Sequence, residues 1–255
     1  MATVILVRHG RTTANTTGVL AGRSAGVSLD PTGRNQAEQL GARLSEVGLT
    51  SVVTSPLERC RQTAAPIART RAVPLTPVVE RGIVECDYGE WQGRSLRELA
   101  KERLWSAVQQ QPSAVTFPGG ESMRAMQARA VDAVRRHDAR VEAEGGTGAV
   151  WVAVSHADVI KAILAEAMGS HLDLFQRIVV DPASVSIIRY TSARPFVLGV
   201  NTHAGPLAWL TPPPRKRRGR RGSATPDAVV GGGAGPDQPS SADASAARAH
   251  VAPPS

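Results

Sequence analysis

The chain has 255 residues, 42% of them hydrophobic and only 4% aromatic, so a core is affordable but must rest on aliphatic side chains. Two cysteines exclude a disulfide-stapled scaffold and four-cysteine zinc modules. The net charge of +8 divides evenly: residues 1–210 carry 23 basic and 19 acidic side chains, and residues 211–255 carry seven and three. No apolar run approaches the roughly 20 residues of a membrane span, and Met1-Ala2-Thr3-Val4 does not read as a signal peptide. The expectation is a soluble, cytoplasmic protein.

The elements alternate in type. Val4-Ile5-Leu6-Val7 reads as a strand buried on both faces. Asp30-Pro31 reads as a helix start, with Ala37, Leu40, Leu44 and Val47 inward and Gly48 as the stop. Ser51–Thr54 is a second strand, followed by a helix through Thr70, and Val73–Val79 is a third strand. A long helix is predicted from Glu121 to Val141, with Met123, Met126, Ala130 and Val134 inward. Ala149–Val154 is a buried strand, and the helix after it places Ile160, Ile163, Leu164, Ala167 and Met168 on one face. Ser184–Tyr190 and Phe196–Val200 are late strands. The pattern predicts an α/β fold, a three-layer sandwich with a largely parallel sheet and helices on both faces. This domain should cover residues 1–210. From Thr211 the chain turns to Pro, Gly, Ala and Ser around a basic run, Arg215–Arg221, and residues 211–255 read as a disordered tail.

Three strand ends carry unusual chemistry. The first strand runs into Arg8-His9-Gly10, the second into Ser55-Pro56-Leu57-Glu58-Arg59, and a later one into Ser155-His156. Ligands bind beyond the carboxyl ends of strands in open α/β sheets, so the three tips should share one site. A metal held by His9, His156 and a carboxylate is one reading. The arginines argue against it: a guanidinium about 4 Å from a unit positive charge costs roughly 4 kcal/mol at an effective dielectric near 20, and a divalent ion doubles that. An anion pocket is favoured, with Arg8 and Arg59 as planar forks for phosphate oxygens. The nucleophile should be a neutral histidine with one ring nitrogen pinned by a backbone carbonyl. A proton donor for the leaving alcohol should come from Glu85, Asp87 or Glu90, and spacing does not choose among them.

These residues resemble the histidine phosphatase superfamily, the branch with the arginine-histidine-glycine signature, which includes the cofactor-dependent phosphoglycerate mutases. The resemblance runs in order through Arg8-His9-Gly10, Thr12, Asn15, Leu29–Gly33, Ser55–Leu57 with Arg59, Gln62–Ala64, Glu85 with Gly89, Trp91 and Gly93, Pro118–Ser122, and Ser155-His156. Within the superfamily it looks nearest to an actinobacterial subgroup described as phosphomutases. It implies a phosphoglycerate mutase-like fold and metal-independent phosphoryl transfer through phosphohistidine, without a cofactor. His9 would be the nucleophile, Glu85 the general acid and His156, with Arg8, Arg59 and Asn15, the phosphate pocket. Arg11 and Ala157 depart from the family pattern. Arg11 would bring positive charge to the mouth and favour an anionic substrate, or else is a solvated surface arginine.

The expected activity is a phosphatase of a small phosphomonoester. A phosphomutase is the alternative, and a non-catalytic phosphate-binding domain with a nucleic-acid-binding tail is the second. No membrane partner is expected, and nucleic acid only through weak contact with the tail. Residues 101–120 are expected to cap the site. Trp91 and Trp105 are read as core, Cys60 and Cys86 as buried bystanders, and His137, His171 and His203 as surface residues.

Overall fold

The computed structural model describes residues 2–203 and 229–235. Its centre is a six-stranded sheet in the order β3-β2-β4-β1-β5-β6. The strands are β1 (Thr3–Arg8), β2 (Leu49–Thr54), β3 (Val78–Val79), β4 (Val150–Ser155), β5 (Val185–Arg189) and β6 (Phe196–Thr202). The first four in sequence pair in parallel, while β5 is antiparallel to both β1 and β6. The expected largely parallel sheet is therefore closed on one side by an antiparallel pair. Central β1 and β4 are apolar because both their faces are covered.

Alternation along β1 splits the core in two. Val4 and Leu6 face one cluster with Trp151, Ala153, Met126, Ala130, Val134 and Ile160. Ile5 and Val7 face a second with Val152, Val154, Leu40, Leu44, Ala64 and Ile67. The first layer is built on α6 (Met123–Gly145) and α7 (Ala157–Ala167), the second on α2 (Pro31–Leu44) and α3 (Glu58–Arg69). The short helices α1 (Thr13–Thr17), α4 (Leu96–Leu99) and α5 (Trp105–Gln110) lie in the connections. Trp91 is 2% exposed and stacks on Trp105 with ring centroids 6.1 Å apart, so this pair does belong to the core.

Several expectations need correction. The strand read over Val73–Val79 shrinks to Val78–Val79, because Pro74 and Pro77 lack the N–H a ladder needs. The helix opened by Asp30 does start as expected, with the Asp30 side chain accepting from the Gly33 N–H at 2.7 Å, but it ends at Leu44 rather than Gly48. Met168 is the C-cap of α7 and is 46% exposed. His137 and His203 are not surface residues: each is half-buried, on Glu80 at 2.9 Å and on Asp181 at 3.3 Å. His171 is exposed, as read.

Of the region read as a disordered tail, only residues 229–235 are described, and they do pack: Val230 is 2% exposed. The basic run Arg215–Arg221 lies outside the described residues. No helix among the described residues is long and apolar enough to cross a membrane.

Candidate active site

Parallel register sets the site. Arg8 of β1 lies opposite Ser155 of β4, so the residues that follow them, His9 and His156, leave the sheet side by side. Their ring centroids are 5.3 Å apart. The His9 N–H donates to the Ser155 carbonyl at 3.0 Å, and the Gly10 N–H donates to Thr63 Oγ1 at 3.0 Å, which ties the loop to α3. Arg59 enters from the first turn of α3.

The backbone-carbonyl pinning expected of a nucleophilic histidine is found at His9. His9 Nδ1 donates to the Gly10 carbonyl at 2.7 Å, which leaves Nε2 with its lone pair. Arg59 Nε donates to that Nε2 at 3.3 Å, and Arg59 Nη2 donates both to His156 Nδ1 at 3.2 Å and to the Gly22 carbonyl at 2.8 Å. His156 Nε2 then donates to Ser55 Oγ at 2.8 Å. Burial, with Arg59 and Arg8 nearby, holds His9 well below the ordinary imidazole range, and burial with Arg59 does the same to His156. Both rings are neutral at pH 7, the state a nucleophilic imidazole requires.

Arg8 is fully buried. Its Nη1 donates to the Val180 carbonyl at 2.9 Å, while Nε and Nη2, like Nη1 of Arg59, have no acceptor among the described residues. Burial pulls the Arg8 guanidinium down to about 10. Buried donors of this kind are costly unless an anion meets them. The site is thus built for a negatively charged ligand.

The three acidic candidates sit differently, and Glu85 alone of them lines the pocket. Glu85 is 3% exposed, lines the same pocket as His9 and Arg59, and holds Oε2 3.8 Å from His156 Nδ1. Burial and the neighbouring charge of Asp158 push its carboxyl up to about 7. Asp87 is engaged with Arg23 at 3.2 Å. Neither Asp87 nor Glu90 lines the pocket.

Asn15 lines the pocket, but its Oδ1 is committed to the Thr12 N–H and hydroxyl in the cap of α1. Arg11 is a correction: it does not line the pocket, and its guanidinium binds Asp30 at 2.8 Å and Thr32 at 2.7 Å at the start of α2. The expected cap is another: residues 101–120 contribute nothing to the lining, which beside His9, Arg59 and Glu85 comes from the stretch 12–22, Leu96 and residues 230–232. Cys60 Sγ lies 3.5 Å from His156 Nε2, yet burial pushes its thiol up to about 12, so it stays protonated. Among the described residues no group of three His, Cys, Asp or Glu is placed to hold a metal ion.

Sequence reasoning missed three contributors. Asp158 is 1% exposed on the first turn of α7, and its Oδ2 accepts from Tyr88 Oη at 2.8 Å and from the Gly231 N–H at 2.9 Å. Arg23 clasps the Glu85 loop through the Glu85 carbonyl, Asp87 and Glu121. Residues 230–232 have no sequence signal beyond a glycine run, whereas Asp158 could have been noticed two residues after His156.

The chain is 33% identical over 193 residues to the bifunctional protein Rv2228c of Mycobacterium tuberculosis, covering 73% of this chain and 50% of that protein. It thus spans about half the length of the first curated relatives it matches. It is 30% identical over 213 residues to phosphoserine phosphatase 1 of Hydrogenobacter thermophilus, covering 79% of this chain and 92% of that one. Among solved structures, the alpha-ribazole phosphatase of Shigella flexneri aligns with a TM-score of 0.67 at 26% identity, over 78% of this chain and 96% of that chain. The profile of the histidine phosphatase superfamily (branch 1) matches residues 4–203, and the chain belongs to that superfamily.

Proposed function

We propose that the chain is a metal-independent phosphatase of small phosphomonoesters that works through phosphohistidine. The observation that carries this is His9, pinned by the Gly10 carbonyl, beside Arg8 and Arg59 donors that lack an acceptor among the described residues, with buried Glu85 on the same pocket. His9 Nε2 attacks phosphorus. The arginines hold the charge that builds on the phosphoryl oxygens. Glu85 gives its proton to the departing alkoxide and then, as carboxylate, takes one from the water that hydrolyses the phosphoenzyme. Asn15, which lines the same pocket, is a further contact for the phosphate in this reading. Relatives named as phosphatases support hydrolysis over return of the phosphate to substrate. Free, buried Cys60 and Cys86 suit a reducing compartment, and the proposal places the activity in the cytoplasm.

The test is phosphate release from a panel of phosphomonoesters in excess chelator, with His9→Ala as control. Release that survives chelator and vanishes in the variant is expected. Retention of activity in His9→Ala would overturn the proposal. Product analysis that finds an isomerised ester instead of free phosphate would make the protein a mutase.

A further inference from the structure

The segment Val229–Gly235 lies on the site although its sequence, Val-Val-Gly-Gly-Gly-Ala-Gly, carries no charge. Val229 is 37% exposed, but Val230 beside it is buried. The Gly231 N–H donates to Asp158, and a Cβ on Gly231 would stand 2.9 Å from Leu20. A Cβ on Gly232 would stand 2.5 Å from the Ala157 Cβ and 2.8 Å from Cζ of Arg8. One on Gly235 would stand 2.8 Å from Pro182. The segment therefore crosses the carboxyl ends of β4 and β1 and reaches the turn before β5. Gly231 and Gly232 have φ of +74° and +78°, a conformation side chains resist, and this lets the backbone lie flat on the arginine.

With the segment seated, the pocket bounded by His9, Arg59, Glu85 and residues 230–232 has a volume of about 20 Å³. One water needs roughly 10–15 Å³, so a phosphate ester and the seated segment cannot share this space. The segment also leaves the Arg8 and Arg59 donors unanswered, which an anionic ester would not.

We propose that Val229–Gly235 is a cover that occupies the catalytic pocket in cis and competes with the phosphoester for it. The proposal rests on the phosphatase reading above for its turnover test, though not for its binding test. Among the described residues the seat is slight: one buried side chain, one hydrogen bond to Asp158 and close glycine contacts. An ester wins the space through the charge interactions the cover cannot make. A cover seated about nine-tenths of the time raises the apparent KM roughly tenfold and leaves kcat alone.

The test uses the full chain with Gly232→Val, Val230→Ala and Gly233→Ala. Gly233 is the control, since its Cβ would meet only ordinary contacts at 3.7 Å or more. Steady-state hydrolysis of 4-nitrophenyl phosphate and calorimetric binding of inorganic phosphate are measured for each, with melting temperatures alongside. The expected result is a roughly three- to tenfold lower KM and tighter phosphate binding in Gly232→Val and Val230→Ala, kcat unchanged, and Gly233→Ala like wild type. Val230→Ala keeps the test open if Gly232→Val fails to fold. Unchanged KM and phosphate affinity in Val230→Ala would overturn the cover. So would a fall in kcat with a rise in KM, which would make the segment a working wall of the site. Tighter phosphate binding without any hydrolysis in wild type would uphold the cover and sink the phosphatase reading.

Discussion

Two buried groups with opposite demands define the site at the scale of single residues. In the proposed reaction His9 must be neutral to attack, and Glu85 must be protonated to donate. Burial pushes both toward their uncharged forms, lowering His9 and raising Glu85 to about 7. Activity should therefore hold at moderately acid pH and fall as pH rises through 7, where Glu85 loses its proton. The acid limb should lie well below the ordinary histidine range. In Glu85→Gln the alkaline limb near pH 7 should vanish, and kcat/KM on an alkyl phosphate should drop by about 10²–10⁴. On 4-nitrophenyl phosphate, whose leaving group needs little protonation, the loss should be smaller. Equal losses on both esters, measured across pH 5–9, would remove Glu85 as the donor. The positions of Arg8, His9 and His156 were legible from sequence because a short buried strand that runs into arginine or histidine says where they go, whereas spacing did not separate Glu85 from Asp87 and Glu90 and only the resemblance named it. Arg11 was misread because its partners, Asp30 and Thr32, are brought back to it only by the fold.

At the scale of elements, the loop that follows β1 and carries His9 is held by a helix it does not belong to. A Cβ on Gly33, in the first turn of α2, would stand 2.0 Å from the Arg11 carbonyl oxygen, and one on Gly10 would stand 2.5 Å from the Gly33 carbonyl oxygen. Backbone therefore meets backbone at the loop whose Gly10 carbonyl orients His9. Gly33→Ala must push Arg11 and Gly10 aside, costing about 1–3 kcal/mol by overpacking and lowering kcat by misaiming the imidazole. Gly48→Ala, where a Cβ would meet nothing within 4 Å, should change neither. Urea unfolding and kcat on the two variants check this, and a wild-type kcat in Gly33→Ala would show that α2 does not aim His9. Elements with strong local signals, such as α6 and β4, were readable to within a few residues. The two-residue β3 was not, because its prolines leave pairing to the edge alone. The seating of Val230 was invisible for another reason: it depends on Leu20, Asp158 and Arg8, all far away in sequence.

For the whole molecule, the same protonation demands become a pH dependence of stability. His9 and His156 have folded values well below 6.5, so the unfolded chain binds their protons first, and stability falls as pH drops below about 6.5. Glu85 acts in the opposite sense. Its folded value near 7 exceeds the unfolded value of about 4.3, so its contribution is complete below the unfolded value and is lost as pH rises through 7. Each fully differential proton is worth about 1.4 kcal/mol per pH unit. Between pH 6.5 and 5, protonated Glu85 thus offsets part of the loss that the two histidines cause. Glu85→Gln keeps the shape, removes the proton and removes the offset. Its unfolding free energy should fall more steeply than that of wild type over this range. Relative to wild type, the variant should gain stability progressively from pH 4.5 to 7, by up to about 3 kcal/mol, and then level off. Urea unfolding of both proteins at pH 5, 6, 7 and 8 reads this difference. Parallel curves would mean that Glu85 is ionised in the folded protein at pH 5, and the proton donor would have to be sought elsewhere.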